Sequence, residues 1–247
     1  MRYFFAIFAV ICFATVAILG WRGKASKSTP VYVFDDMDYQ SKLKPMGQNT
    51  FFEDGRNDRP PVPGAVARGN AWQSAEVFSA EYRDAASRNP EFVTGKNADG
   101  EFIDGFPKHS LTFTTDAKGG RVLAPFVLDE RVLAKGKERF EIFCAVCHGY
   151  AGNGEGILKV RNQIPGDDEG DRFIGTIANL QLASYREKRN GDYFNTITHG
   201  KSTMQAYGDK LTPEERWAVI AYLRALQLSQ NCPPDLVPDS IDKANLK

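Results

Sequence analysis

The chain has 247 residues, enough for one large domain or a small domain with extensions. Its 31 Lys and Arg balance 31 Asp and Glu, and a neutral chain lacks the basic excess of a nucleic-acid binder. Charged residues at 25% and apolar residues at 42% exclude disorder along the whole length, and four Cys in this length exclude a disulfide-stapled mini-domain.

The first element is apolar. Tyr3 to Trp21 carries no charge, and as a helix it spans about 28 Å at ~1.5 Å per residue, close to a hydrocarbon core of ~30 Å. A secretory signal has a shorter apolar core of roughly 7–15 residues. Residues 1–25 are therefore read as a retained membrane anchor, with a cleaved signal as the alternative, since Gly23-Lys24-Ala25 is a tolerable small-x-small site. Cys12 does not make a lipobox, because Ile11 before it is too large and the apolar run continues; it is read as a lipid-facing or helix-packing residue. Arg2 lies on one side of the run and Arg22, Lys24 and Lys27 on the other, a weak bias toward a cytoplasmic C-terminal bulk.

Residues 26–127 hold Pro30, Pro45, Pro60, Pro61, Pro63, Pro90 and Pro107, and only Ala71 to Ser87 has a helical pattern, with Phe78 and Tyr82 on one side. A stretch of this length with so little periodicity does not build a core alone. Yet Tyr32, Phe34, Phe51, Phe52, Trp72, Phe92, Phe102 and Phe106 are too apolar for a free linker. An extended arm lying on other subunits satisfies both facts; a disordered tether is the alternative. His109 is read as a surface or interface residue.

The third region, 128–230, carries the chemistry. Asp129 is a fair N-cap, and Val132, Leu133, Gly136, Phe140 and Phe143 recur at helical spacing. That helix runs into Cys144-Ala145-Val146-Cys147-His148, a CxxCH motif. The spacing puts two sulfurs on one side of a helical turn, placed to form thioethers to haem vinyl groups, and the adjacent His reaches the iron from below the ring. A zinc site needs four ligands, usually in two pairs, and no second CxxC exists; a thioredoxin-like pair needs a preceding strand, and the preceding residues read as helix. Gly149, Gly152, Gly154 and Gly156 then break the helix into a loop whose backbone is able to pass close to a flat ring.

Met204 is the only Met after the motif and sits in Gly200-Lys201-Ser202-Thr203-Met204-Gln205-Ala206-Tyr207-Gly208, a loop ahead of a strong helix. Thioether ligation raises a haem potential and suits an electron carrier, so Met204 is read as the sixth ligand. His199, at the end of a short helix, is the rival; otherwise it is a C-terminal His favoured by the helix dipole. The last helix opens with Thr212-Pro213-Glu214-Glu215, a capping box with Pro at its first position. Trp217, Ile220, Ala221, Leu223 and Leu226 give it an apolar face, with Arg216 and Arg224 outside. Trp217 is placed either beside the haem propionates or in the core, and Tyr222 against Gly136 and Phe140 where the first and last helices cross. The Pro165 carbonyl is a candidate acceptor for the ring N–H of His148. Asp167, Asp168, Glu169 and Asp171 lack calcium-loop spacing and read as a solvated turn. Residues 231–247 form a tail, in which Cys232, like Cys12, has no assigned role.

These pieces match a family. Phe52-Glu53-Asp54-Gly55-Arg56, Arg59-Pro60-Pro61-Val62-Pro63-Gly64-Ala65-Val66-Ala67-Arg68-Gly69, Arg139 to Phe143 before the motif, Met204 to Tyr207, and Arg216 to Leu226 resemble the mono-haem cytochrome c subunit of bacterial alternative complex III. The resemblance covers most of 45–230, and the Arg-Pro-Pro-Val-Pro-Gly arm is its specific part. It implies a mainly α fold: a class I cytochrome c domain with an N-terminal transmembrane helix and a long irregular extension. It implies one covalent haem c on Cys144 and Cys147, with His148 and Met204 on the iron, and Pro165, Trp217 and Tyr207 as candidate pocket residues. It implies electron transfer within a quinol-oxidising membrane complex, with a multi-haem cytochrome, an iron–sulfur subunit and integral membrane subunits as partners. A periplasmic cytochrome or an oxidase is the acceptor. The haem domain then lies on the periplasmic side of the inner membrane, against the charge bias at the anchor. A stand-alone tethered carrier and a structural zinc module are the alternatives.

Overall fold

The computed structural model describes residues 2–19, 42–43, 45–66, 71–162 and 177–233. Helix α1, Arg2–Leu19, has exposed side chains along its described length, and Thr15 Oγ1 donates to the Ile11 carbonyl at 2.7 Å. Among the described residues no helix is long and apolar enough to cross a membrane. The helical part of the expected anchor is 18 residues, about 27 Å at ~1.5 Å per residue, and begins at charged Arg2. The anchor's flank from Gly20 to Ala25, the acidic turn 167–171, Pro165 and the tail from 234 lie outside the described residues.

The helical domain is built on the crossing of α5, Glu130–Phe143, with α10, Pro213–Gln230. Both start where the sequence has caps. Asp129 accepts from the Val132 amide at 2.9 Å, and Thr212 and Glu215 satisfy each other's backbone amides reciprocally in a capping box. At the crossing, a Cβ on Gly136 would overlap the Ala218 carbonyl and stand 3.0 Å from Tyr222 Cβ. Phe140 is buried there, its ring 5.5 Å from that of Tyr222. Between these helices lie α6, Ala145–His148; α7, Ile157–Asn162; α8, Ala183–Arg186; and α9, Asn190–His199.

The region before α5 departs from the arm expected of it. Helices α2, Ala71–Phe78, α3, Ala80–Arg88, and α4, Pro90–Thr94, are followed by strands β1, His109–Thr115, and β2, Arg121–Pro125, paired antiparallel. Apolar side chains of α3, α4 and the hairpin face this chain's own core, while Phe78 of α2 is exposed. Phe92 is fully buried, and Ala85, Leu111, Phe106, Phe113 and Phe126 join one cluster with Phe194, Trp217 and Ile220. Residues 80–126 thus cover the α9–α10 side of the domain. Covering that side buries aromatic surface that sequence periodicity leaves unassigned.

Arg216 also departs from expectation. It stands on the buried side of α10, 3% exposed, where Nε donates to the Leu211 carbonyl at 3.1 Å, Nη1 to Thr198 Oγ1 at 2.8 Å and Nη2 to the Gly208 carbonyl at 3.3 Å. Loop carbonyls left without partners by α9 and α10 take a cation inside the fold.

Candidate haem site

α5 ends at Cys144, and the chain continues as a helical turn: the Cys147 and His148 amides both donate to the Cys144 carbonyl, at 3.1 and 2.9 Å. Both thiols and the imidazole consequently open onto one cavity. The glycine loop folds back on this turn, with the Gly154 amide donating to the His148 carbonyl at 2.8 Å and the Gly156 amide to the Cys147 carbonyl at 3.0 Å. These glycines serve the motif's own backbone.

The His148 ring is oriented from across the cavity. Its Nδ1 lies 3.0 Å from the Ala178 carbonyl oxygen. A carbonyl only accepts, so Nδ1 carries the proton and donates, leaving Nε2 as the free lone pair. Burial pushes the imidazole pKa down, against the Ala178 hydrogen bond, and so favours the neutral ligand form. Among the described residues the acceptor is the Ala178 backbone carbonyl, which no side-chain pattern marks, while Pro165 lies outside them.

Met204 faces the same cavity, and His199, on the exposed end of α9, does not. The Met204 loop is a tight turn closed by paired bonds, Lys201 N–H to Met204 O at 3.1 Å and Met204 N–H to Lys201 O at 2.9 Å. Its far side is tied to α9, where the Tyr207 amide donates to the Ile197 carbonyl at 2.8 Å. Tyr207 lines the cavity, packed edge-on against Phe143. Trp217 does not line it: the indole is fully buried, stacks on Phe194 with centroids 4.6 Å apart, and donates through Nε1 to the Phe92 carbonyl at 2.8 Å. Of its two expected places, the structure gives it the core.

A second methionine also lines the cavity. Met46, in the turn before Gly47, lines the same wall set as Met204 although it lies 98 residues before Cys144. Sequence reasoning passed over it, and nothing in Lys44-Pro45-Met46-Gly47 signals the contact.

The donor set fits a covalent haem. Phe140, Phe143, Ile197, Val219 and Leu223 make apolar walls for a flat ring, beside two thiols, one neutral imidazole and thioether sulfurs. Lys188 and Lys201 stand on the wall, where burial and then the neighbouring Lys201 charge push the Lys188 pKa down; carboxylates such as haem propionates relieve that repulsion. Burial drives the Cys144 thiol up to about 12 and Cys147 in the same direction, so neither is the low-pKa thiolate of a dithiol redox pair. Among the described residues no three His, Cys, Asp or Glu side chains gather as a metal cluster, so the zinc alternative finds no tetrad there.

One family comparison agrees with this geometry. The family model for cytochrome c oxidase, cbb3-type, subunit III matches residues 131–223. Among solved structures, the Kuenenia stuttgartiensis reducing HAO-like protein complex is similar, at 22% identity and a TM-score of 0.31, over 44% of this chain and 53% of that one. The match thus spans about half the length of that chain. No curated protein matches. With the CxxCH turn, the oriented His148 and the family match on the same segment, residues 131–223 form a cytochrome c domain, a match that implies covalent haem c and points to electron transfer.

Proposed function

We propose that this chain is a mono-haem c-type cytochrome that passes single electrons inside a membrane-bound, quinol-oxidising respiratory complex of the alternative complex III kind. Cys144 and Cys147 carry the thioethers, His148 is the proximal ligand and Met204 the sixth. The observation that carries the reading is the convergence of His148, its Nδ1 fixed on Ala178, with Cys144, Cys147 and Met204 on one apolar cavity. The bound haem supplies the one-electron iron couple. The protein's own residues do the rest: Ala178 fixes the tautomer that presents Nε2, the apolar walls keep water from the ring, and Met204 brings a soft neutral donor.

Membership of a larger complex is supported by the Arg59-to-Gly64 segment that resembles the family's arm. It stands exposed, with Val62 75% accessible and Phe51 nearby at 85%. The balance of basic and acidic residues in 129–230 gives little long-range steering, which suits a fixed subunit better than a diffusing carrier. The uncharged run of sequence continues past α1 to Trp21 and supports an N-terminal membrane anchor, while the bacterial inner membrane and a periplasmic haem domain rest on the family resemblance and the CxxCH motif.

Purification from native membrane tests both levels. Covalent haem retained on a denaturing gel, and lost in the double variant C144A/C147A, is the expected result for the cofactor. Co-purification of a multi-haem cytochrome and an iron–sulfur subunit is expected for the complex. Haem retention without those partners would leave a tethered carrier; a protein without covalent haem would overturn the whole reading.

A further inference from the structure

The segment that precedes the cytochrome domain reaches the ligand loop directly. Residues 47–57 close on themselves: Asn57 N–H donates to the Gly47 carbonyl at 3.0 Å, Asn49 N–H to the Gly55 carbonyl at 2.9 Å, and Gln48 bridges to Arg56. From this turn the Arg56 side chain, only 14% exposed, crosses to the domain. Its Nη1 donates to the Met204 carbonyl at 3.3 Å and its Nη2 to the His199 carbonyl at 3.2 Å, contacts between residues 148 and 143 positions apart. Asp54 holds the guanidinium from behind, accepting from Nε at 3.0 Å.

The two carbonyls have distinct places. That of His199 is among the unpaired acceptors at the C-terminal end of α9, where a cation also meets the negative end of the helix dipole. That of Met204 belongs to a residue that lines the cavity with Cys144, Cys147 and His148. One planar fork therefore ties the end of a fixed helix to the ligand residue across Lys201-Ser202-Thr203. Gly200 takes φ +75°, and a Cβ there would stand 2.5 Å from Arg56 Nη1, so the chain is bare where the guanidinium passes. The same turn carries Met46 to the inner side of the loop, on the cavity wall. The ligand loop is thus held from outside by Arg56 and flanked from inside by Met46.

We propose that Arg56 is a positioning residue for the sixth haem ligand, clamping the Met204 loop so that the thioether stays on the iron. The inference rests on the reading of Met204 as that ligand, and the test separates the two. Full-length ferric protein with covalent haem is titrated with imidazole, which competes for the sixth position. Loss of the thioether-to-iron charge-transfer band is followed in wild type, R56A, R56K, D54N, M204A and M46A. R56A is expected to yield the band at about tenfold lower imidazole, the net worth of one hydrogen bond to a charged group. R56K keeps the charge without the fork and is expected to fall between, and D54N to shift in the same direction by less.

M204A is expected to lack the band altogether, while M46A keeps it. A band that survives M204A and vanishes in M46A overturns the ligand reading itself. A band lost in M204A, with R56A titrating like wild type, overturns the clamp alone. If R56A does not accumulate folded, unchanged titrations in both R56K and D54N overturn the clamp equally.

Discussion

The indole Nε1–H of Trp217 donates to the carbonyl oxygen of Phe92 at 2.8 Å, across 125 residues of chain. Phe92 sits in the short helix α4, before the cytochrome domain as the sequence delimits it, yet its ring is fully buried and 6.5 Å from the indole. Phe126 and Phe106 complete the aromatic layer, with Phe106 stacked on Phe126 and edge-on to Trp217. One hydrogen bond therefore marks the seam where residues 80–126 become part of the domain.

Replacing Trp217 by Phe removes that donor and part of a large buried ring. Together the unpaired Phe92 carbonyl and the cavity cost about 2–4 kcal/mol. The expected result is a lower urea midpoint and faster proteolysis within 80–126, with the haem spectrum and reduction potential unchanged. A shifted potential would place Trp217 back beside the haem.

Gly136 sets two effects against each other. Ala in a helix interior is favoured over Gly by about 1 kcal/mol. At this position, however, the added Cβ would meet Ala218 C at 2.6 Å and overlap its carbonyl oxygen, both in the backbone of α10. Overpacking of that kind costs about 1–3 kcal/mol or more because the two helices must separate. Gly136→Ala is therefore expected to destabilise, measured as a lower urea midpoint at unchanged m; a stabilised variant would mean that the α5–α10 crossing is looser than its geometry.

How much of this was visible in the sequence follows from how local each signal is. The capping box at Thr212 and Glu215 and the cap at Asp129 are patterns within four residues, and the structure has both. The CxxCH turn and the place of Tyr222 against Phe140 are likewise set by helical spacing. The hairpin did carry a signal: Leu111 and Phe113 alternate with polar residues, and Asp116 Oδ1 accepts from the Lys118 and Gly120 amides in the turn. What sequence spacing does not encode is which distant groups meet. The acceptor for His148 is a backbone carbonyl, present at every residue, so its choice of Ala178 has no side-chain signature. Met46 and Arg56 reach the Met204 loop and its cavity from an irregular turn held by its own backbone, where neither period 2 nor period 3.6 applies.

That turn has a pH limit. Desolvation raises the Asp54 pKa, but hydrogen bonds from Arg56 and Arg59 outweigh it and hold the carboxyl below its ordinary 3.8. A depressed carboxylate pKa stabilises the fold fully above the unfolded value, and the contribution disappears as pH falls through the lower folded one. Exchange of the Asn57 amide, which closes the turn on Gly47, is expected to be slower in wild type than in D54N at neutral pH. The difference should vanish in acid below 3.8. A difference that persists unchanged into strong acid would dissociate the turn from Asp54.

Arg216 anchors the other end of the Met204 loop. Burial lowers its pKa to about 10, still far above neutral, so the cation persists inside the fold. Hydrogen bonds from it reach Leu211, Gly208 and Thr198, joining the loop after Met204 to α9. Substitution by Leu keeps volume but leaves two carbonyls unpaired, at about 1–3 kcal/mol each, while it removes a buried charge whose desolvation was itself costly. The acceptor losses win, because both carbonyls are held in place by flanking turns and do not rotate outward to water. Arg216→Leu is therefore expected to lose about 2–4 kcal/mol in urea unfolding, and Arg216→Lys about half of that, since an ammonium meets fewer of the three acceptors. Equal stability of wild type and Arg216→Leu would show instead that the charge's desolvation cancels everything its hydrogen bonds contribute.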